Sequence, residues 1–240
     1  MTIMRTTSGA KIALAARKLR ENTPDFELAA AEPLAIIGIG CRFAGGVTDS
    51  DTLWKLLESR RNVASGAPPD RFTAQDLRGT IPDTAPDLLQ GAFLDDIDRF
   101  DAHYFGIAPR EAAHMDPQQR MLLEVSIEAI EDAGLLPERL RGSATGVFAA
   151  IYNHDFLRYQ HADPDRIVAH TVSGTSPAIA AGRISFLLDL SGPAIIVDTA
   201  CSSSLVAAHL ACMSLRNREC DLAIVGGAGL ILGPETYLSL

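Results

Sequence analysis

Val197-Asp198-Thr199-Ala200-Cys201-Ser202-Ser203-Ser204-Leu205 joins an apolar run, Ala194 to Val197, to a helical pattern, Leu205 to Leu215. A cysteine therefore stands where a buried strand turns into a helix. The unpaired N–H groups and partial positive charge of a helix N-terminus favour a thiolate. A free thiol with a pKa of about 8.5 is only a few per cent ionised at pH 7, and lowering it to about 7 ionises half. Asp198, Thr199 and Ala200 shape the turn. Ser202 to Ser204 open the helix with small side chains, which leaves room for a substrate to reach the sulfur. A lone cysteine is more often a buried structural residue, but this nine-residue context weighs against that.

The same alternation extends in both directions. Leu34 to Ile39 reads as a buried strand, with Gly38 and Gly40 allowing a tight turn after it. Ser50 caps a helix from Asp51 to Arg60, with Leu53, Trp54, Leu56 and Leu57 on one face. Residues 61–92 form a long proline-bearing loop. Phe93, Phe100, Tyr104 and Phe105 anchor an acidic stretch, Asp95 to Asp101, to the core. Asp116-Pro117-Gln118-Gln119 supplies an N-cap, a first-turn proline and a capping-box Gln for a helix reaching Ala133, which Gly134 closes. Its polar start reads as architectural, and Asp116 and Glu124 as non-catalytic.

Gly146 to Ile151 is a second strand, Thr175 to Leu188 a helix, Ala194 to Val197 a third strand and Asp221 to Leu232 a fourth. Gly226, Gly227 and Gly229 inside the last suggest close backbone approach or a bulge near the site. Strands alternating with helices predict an α/β fold. Residues 1–32 read as an appendage, a short basic helix from Lys11 to Glu21 and an Ala-rich linker, and residues 33–240 as the folded domain. A helix this short is marginal alone, so a frayed tail and a docking or dimerising helix both fit.

Composition closes off several classes. There are 21 basic and 30 acidic side chains, a net charge of −9, which argues against a nucleic-acid binder. No run of 18 apolar residues predicts a membrane span, and no secretory signal pattern opens the chain. The cysteines at 41, 201, 212 and 220 form neither a disulfide framework nor a metal-ligand pattern, so no metal site is expected. A reducing cytoplasm is the expected compartment. After Gly38-Ile39-Gly40-Cys41-Arg42 comes Phe43, so the GxGxxG dinucleotide fingerprint fails.

The Cys201 stretch resembles the nucleophile motif of β-ketoacyl synthases, the condensing enzymes of fatty acid and polyketide synthesis. Ile37-Gly38-Ile39-Gly40-Cys41-Arg42-Phe43 resembles the opening of that domain, and Met115-Asp116-Pro117-Gln118-Gln119-Arg120 another of its signatures. Gly91-Ala92-Phe93-Leu94-Asp95 and Phe105-Gly106-Ile107-Ala108-Pro109-Arg110-Glu111 favour the modular polyketide synthase type. The resemblance, from Pro33 to Leu240, implies the N-terminal half of a thiolase-like fold, a layered α/β architecture with a mixed sheet. It implies Cys201 as the acyl-accepting nucleophile. It also implies a homodimer and an acyl carrier protein partner. No cofactor is bound directly, because the substrates ride on the carrier's phosphopantetheine. Ala200, Ser202, Gly226 and Gly227 are expected at the substrate pocket.

The family's His-Gly-Thr-Gly-Thr and Gly-His motifs do not occur in these 240 residues, nor does its lysine. His103, His114, His154, His161, His170 and His209 read as surface or packing residues. The expectation is therefore an incomplete domain, inactive in condensation unless a C-terminal ketosynthase half completes it in trans. The competing expectation is a non-catalytic fragment or dimerising interaction subunit, and a hydrolase using Cys201 alone lacks a visible base.

Overall fold

The structure is a computed structural model that describes residues 33–72 and 90–235. The expected basic helix at Lys11 to Glu21 lies outside the described residues. The chain divides into two units, Met1–Ala35 and Ile36–Leu240, and the regular elements described all belong to the second.

Helix α1, Ser50–Ser59, starts one residue earlier than expected, because Asp49 and not Ser50 is its cap. Asp49 accepts from the Thr52 amide while the Thr52 hydroxyl reaches back to the Asp49 amide, so two otherwise unpaired donors are satisfied together. Leu53 and Leu56 are half-buried, whereas Trp54 and Leu57 are exposed. Strands β1, Ser65–Gly66, and β2, Gln90–Gly91, pair antiparallel and give the expected loop region a short ribbon. Phe100 stacks on Phe105 at 5.2 Å, and Tyr104 meets Phe105 edge-on while remaining exposed.

Short helix α2, Pro109–Ala112, leads to α3, Pro117–Asp132, capped by the Asp116 side chain. Gln119 does not close a capping box; its amide instead donates to the Ser176 carbonyl. Strand β3, Thr145–Ile151, is buried along its whole length. Helices α4, Asp155–His161, α5, Thr171–Thr175, and α6, Pro177–Leu187, follow. Strand β4, Ala194–Val197, helix α7, Ser203–Arg216, and strand β5, Leu222–Ala228, complete the order.

The three-stranded sheet runs β4-β3-β5 and is parallel throughout, while the small ribbon and an isolated bridge between Phe43 and Val47 are antiparallel. Side chains alternate across β3 and feed two cores. Val147, Ala149 and Ile151 pack with Leu122, Leu123 and Ile130 of α3 and Ala180, Ala181 and Ile184 of α6. Phe148 packs on the opposite face with Val197, Ala207, Ala211 and Cys220. Alanines at 207 and 211 bring α7 close to the sheet, while Leu205 and Met213 face outward, exposed.

One expected strand is absent. Residues 33–42 make no strand, and Ile36 is 86% exposed. Hydrophobic composition predicted a buried strand, but this segment pairs with none of the described strands. Residues 38–40 lie against α3 instead. A Cβ at Gly38 would collide with the Ala129 carbonyl and the Ala133 backbone, and one at Gly40 with the Val125 carbonyl. The Ile39 amide finds its acceptor in the Asp132 carboxylate at 2.8 Å. The glycines therefore serve close approach to a helix, where a tight turn was expected.

Candidate functional site

Strand β4 ends at buried Val197, and the chain turns into α7 within five residues. The turn is held by its own polar side chains. Asp198 Oδ1 accepts from the Ala200 amide at 3.1 Å. The Thr199 and Ser202 hydroxyls are 2.8 Å apart, and Ser202 Oγ donates to the Thr199 carbonyl. Ser203, 5% exposed, accepts from the Thr199 amide at 2.8 Å and donates to the Ala200 carbonyl at 2.7 Å. Between these anchors Ala200 takes φ +54°, a left-handed conformation that crowds a Cβ against the next carbonyl. The bend delivers Cys201 to the surface, one residue before the Ser202 cap of α7. Ser202 makes no side-chain capping bond, so it leaves the first helical amides without a partner from the cap.

The other thiols are less accessible. Cys41 and Cys212 are half-buried, and Cys220 is buried with its thiol 3.4 Å from Ser214 Oγ. Burial, then the Asp49 charge, pushes the Cys41 thiol above its ordinary range.

Ala200 and Ser202 flank Cys201 and share its exposure. The two glycines part company. A Cβ at Gly227 would lie 3.5 Å from that of Ser204, so Gly227 borders the first turn of α7. A Cβ at Gly226 would face Leu122 of α3, on the opposite side of the sheet. Successive strand residues alternate faces, so Gly226 and Gly227 cannot line one pocket. Both have ordinary packing room, and the β3–β5 register is continuous, with neither the close approach nor the bulge expected there.

Two cavities among the described residues lie elsewhere. A cavity of about 760 Å³ is bounded by residues 42–48 and 93–101 with Pro117, Met121 and Glu124 of α3, and one of about 380 Å³ lies between Tyr104, Ser126 and Leu187. Neither is lined by the Cys201 turn, and its chemistry outweighs their volume. His209 is exposed on α7, eight residues beyond Cys201 and so about 12 Å along the axis. Among the described residues no group of three or more His, Cys, Asp or Glu could hold a metal ion. No described helix is long and apolar enough to cross a membrane.

A strand, a left-handed bend bearing an exposed cysteine, and a helix packed by alanines occur in the order that the motif predicts. The β-ketoacyl synthase N-terminal domain family matches residues 31–240. The chain belongs to that family. Relatives place this ketosynthase domain with polyketide synthases. A phenolphthiocerol/phthiocerol polyketide synthase chain of Mycobacterium tuberculosis is 48% identical over 215 residues, 89% of this chain and 14% of that protein. A type I polyketide synthase of phenolphthiocerol synthesis from Mycobacterium bovis is 46% identical over 231 residues, 95% of this chain and 11% of that protein. A ketosynthase from module 6 of the bacillaene synthase of Bacillus subtilis superimposes with a TM-score of 0.72 at 38% identity. That match covers 85% of this chain and 33% of the solved one, so the chain spans a third or less of each of these proteins. The architecture is accordingly the thiolase-like one of ketosynthases.

Reading the motif by residue type missed two features of this ketosynthase domain. One is the Ser203 hydroxyl, since residue type alone marks Ser203 only as small. The other is the set of distant partners that the polar, architectural start of α3 finds when it is buried. Gln118 donates to both Asp116 oxygens and to the Asn153 carbonyl, and accepts from the Leu230 amide. Asp155 Oδ2 accepts from the Asn153 side chain and from the Leu232 and Gly233 amides. The polar run Asp116 to Arg120 was its sequence signal; its partners, up to 112 residues away, had none.

Proposed function

We propose that Cys201 is the acyl-accepting nucleophile of a ketosynthase domain that lengthens polyketide chains carried on an acyl carrier protein. The observation that carries this reading is the exposed thiol on the left-handed bend at the start of α7, in a chain of this family. The thiolate attacks the carbonyl of a carrier-bound acyl thioester. A new C–S bond forms at Cys201 as the old one breaks, and the phosphopantetheine sulfur leaves and takes up a proton. The Cys201 amide supplies one donor to the tetrahedral oxygen, and such a donor is worth about 10² to 10³ in rate.

The second half-reaction condenses the acyl group with a malonyl-type extender. Loss of carbon dioxide builds an enolate oxygen that needs its own donors. His209, the histidine carried by α7, is too far along the helix for a direct hydrogen bond to the thiol. In this reading a histidine-bearing segment acts with residues 1–240, and the working form is a homodimer.

The test uses the chain with an acyl-loaded and a malonyl-loaded carrier protein. Acyl label should appear on Cys201, and β-ketoacyl product only once a polypeptide carrying the histidine motifs is added. Cys201→Ala should abolish both. Acyl label on another residue would refute the assignment.

A further inference from the structure

We infer that Ser203 is a positioning residue, whose buried hydroxyl locks the Ala200–Cys201 peptide and so aims the Cys201 amide and thiol at the substrate. The inference rests on Cys201 being the acyl acceptor. Ala200 is held at φ +54° although it carries a Cβ. Left alone, such a residue returns to the right-handed or extended region, which would swing the following peptide. Three contacts oppose that return. Asp198 holds the amide of Ala200, and the Ser203 hydroxyl and amide both hold its carbonyl, at 2.7 and 3.1 Å. The same hydroxyl accepts from the Thr199 amide, so one oxygen ties the entry of the bend to its exit.

The Ala200–Cys201 peptide is trans, since the described chain has no cis bond. Its N–H therefore points away from the carbonyl that Ser203 holds. Turning the carbonyl in toward Ser203 turns the Cys201 amide out, toward the side from which an acyl group arrives. Ser203 is 5% exposed and Ser202 is exposed, so the neighbouring hydroxyl stands in water and Ser203 is the one shielded from it. A shielded hydroxyl with a donor and an acceptor in place holds its geometry without competition from solvent.

Two reactions of one thiol separate aiming from general structure. Acyl transfer needs the amide to meet a developing oxyanion; alkylation by iodoacetamide builds no oxyanion and accepts many approach angles. The whole chain and its Ser203→Ala and Ser203→Thr variants are treated with a small acyl N-acetylcysteamine thioester, and separately with iodoacetamide from pH 6 to 9. Rates at Cys201 are read by peptide mass spectrometry, and folding by circular dichroism and urea midpoint. Ser203→Ala should slow acyl transfer at least tenfold and change the limiting alkylation rate less than twofold. Ser203→Thr, which keeps the hydroxyl, should stay within threefold of wild type in both. Equal losses in both reactions, or none in either, overturn the inference. Should Ser203→Ala not fold, a tenfold loss of acyl transfer in folded Ser203→Thr overturns it, and retention supports it. Absence of acylation in the wild-type chain, with alkylation intact, instead overturns the reading of Cys201 and takes this inference with it.

Discussion

Gln118 Oε1 accepts the Leu230 amide across 112 residues of sequence. The bond, 3.3 Å long and buried, ties the first turn of α3 to the segment leaving β5. The other end of the same side chain donates to Asp116 and to the Asn153 carbonyl, so one amide joins three separate parts of the chain.

Gln118→Leu should therefore cost far more than a change of shape. It strands the Leu230 amide and the Asn153 carbonyl, each worth about 1–3 kcal/mol when buried without a partner. A loss of about 3 kcal/mol in urea unfolding is expected. A loss below about 0.5 kcal/mol, the range of an ordinary surface substitution, would mean that the network adds no stability.

Asp116 gives this network a pH dependence. Burial pushes its carboxyl up to about 6 from an ordinary 3.8, against the pull of the Gln118 hydrogen bonds and the Arg120 charge. The folded state thus holds the proton more tightly than the unfolded state. The stability this contributes is fully present below pH 4 or so and is lost as pH rises through about 6, a loss on the order of 3 kcal/mol. Asn at 116 keeps an N-cap acceptor and does not ionise. Asp116→Asn should match wild type near pH 4 and exceed it by about 1–3 kcal/mol at pH 7.5. Urea midpoints at pH 4.5, 5.5 and 7.5 measure the difference, and a pH-independent difference would exclude Asp116 as its source.

Gly38→Ala should push residues 36–41 off α3. The added carbon meets the Ala129 carbonyl and the Ala133 backbone, neither of which has a flexible end to move. A destabilisation of about 1–3 kcal/mol is expected from such overpacking. Rapid hydrogen exchange at the Ile39 amide should accompany it, since that amide depends on Asp132. Unchanged stability together with protected Ile39 would show that the segment is not held where the structure places it.

Cys201 should be the first thiol alkylated by limiting iodoacetamide in the folded chain. It is exposed, while Cys220 is buried and the Cys41 thiol is made less acidic by its surroundings. Peptide mapping by mass spectrometry checks the order, and preferential modification of Cys41 or Cys212 would contradict it.

Local chemistry was legible in the sequence wherever neighbours along the chain supply the partners. The Asp116 cap, the strand at Ala194 to Val197 and the cysteine at the strand-to-helix turn needed only adjacent residues and period, and the structure has all three. Tertiary structure alone decided the rest. Leu34 to Ile39 has strand composition, yet residues 38–40 pack their backbone against α3, where the Asp132 carboxylate takes the Ile39 amide that a sheet neighbour would otherwise have used. Gly226 and Gly227 are adjacent in sequence and face opposite cores, because pleating assigns them to opposite sides. Ser203 reads as any small helix-opening residue until the bend brings the Thr199 amide and the Ala200 carbonyl to its hydroxyl. Residue order is enough to name the nucleophile candidate and the succession of strand, turn and helix that presents it. Only the folded chain decided what holds that turn, because hydrogen bonds and packing depend on distances that sequence order does not contain.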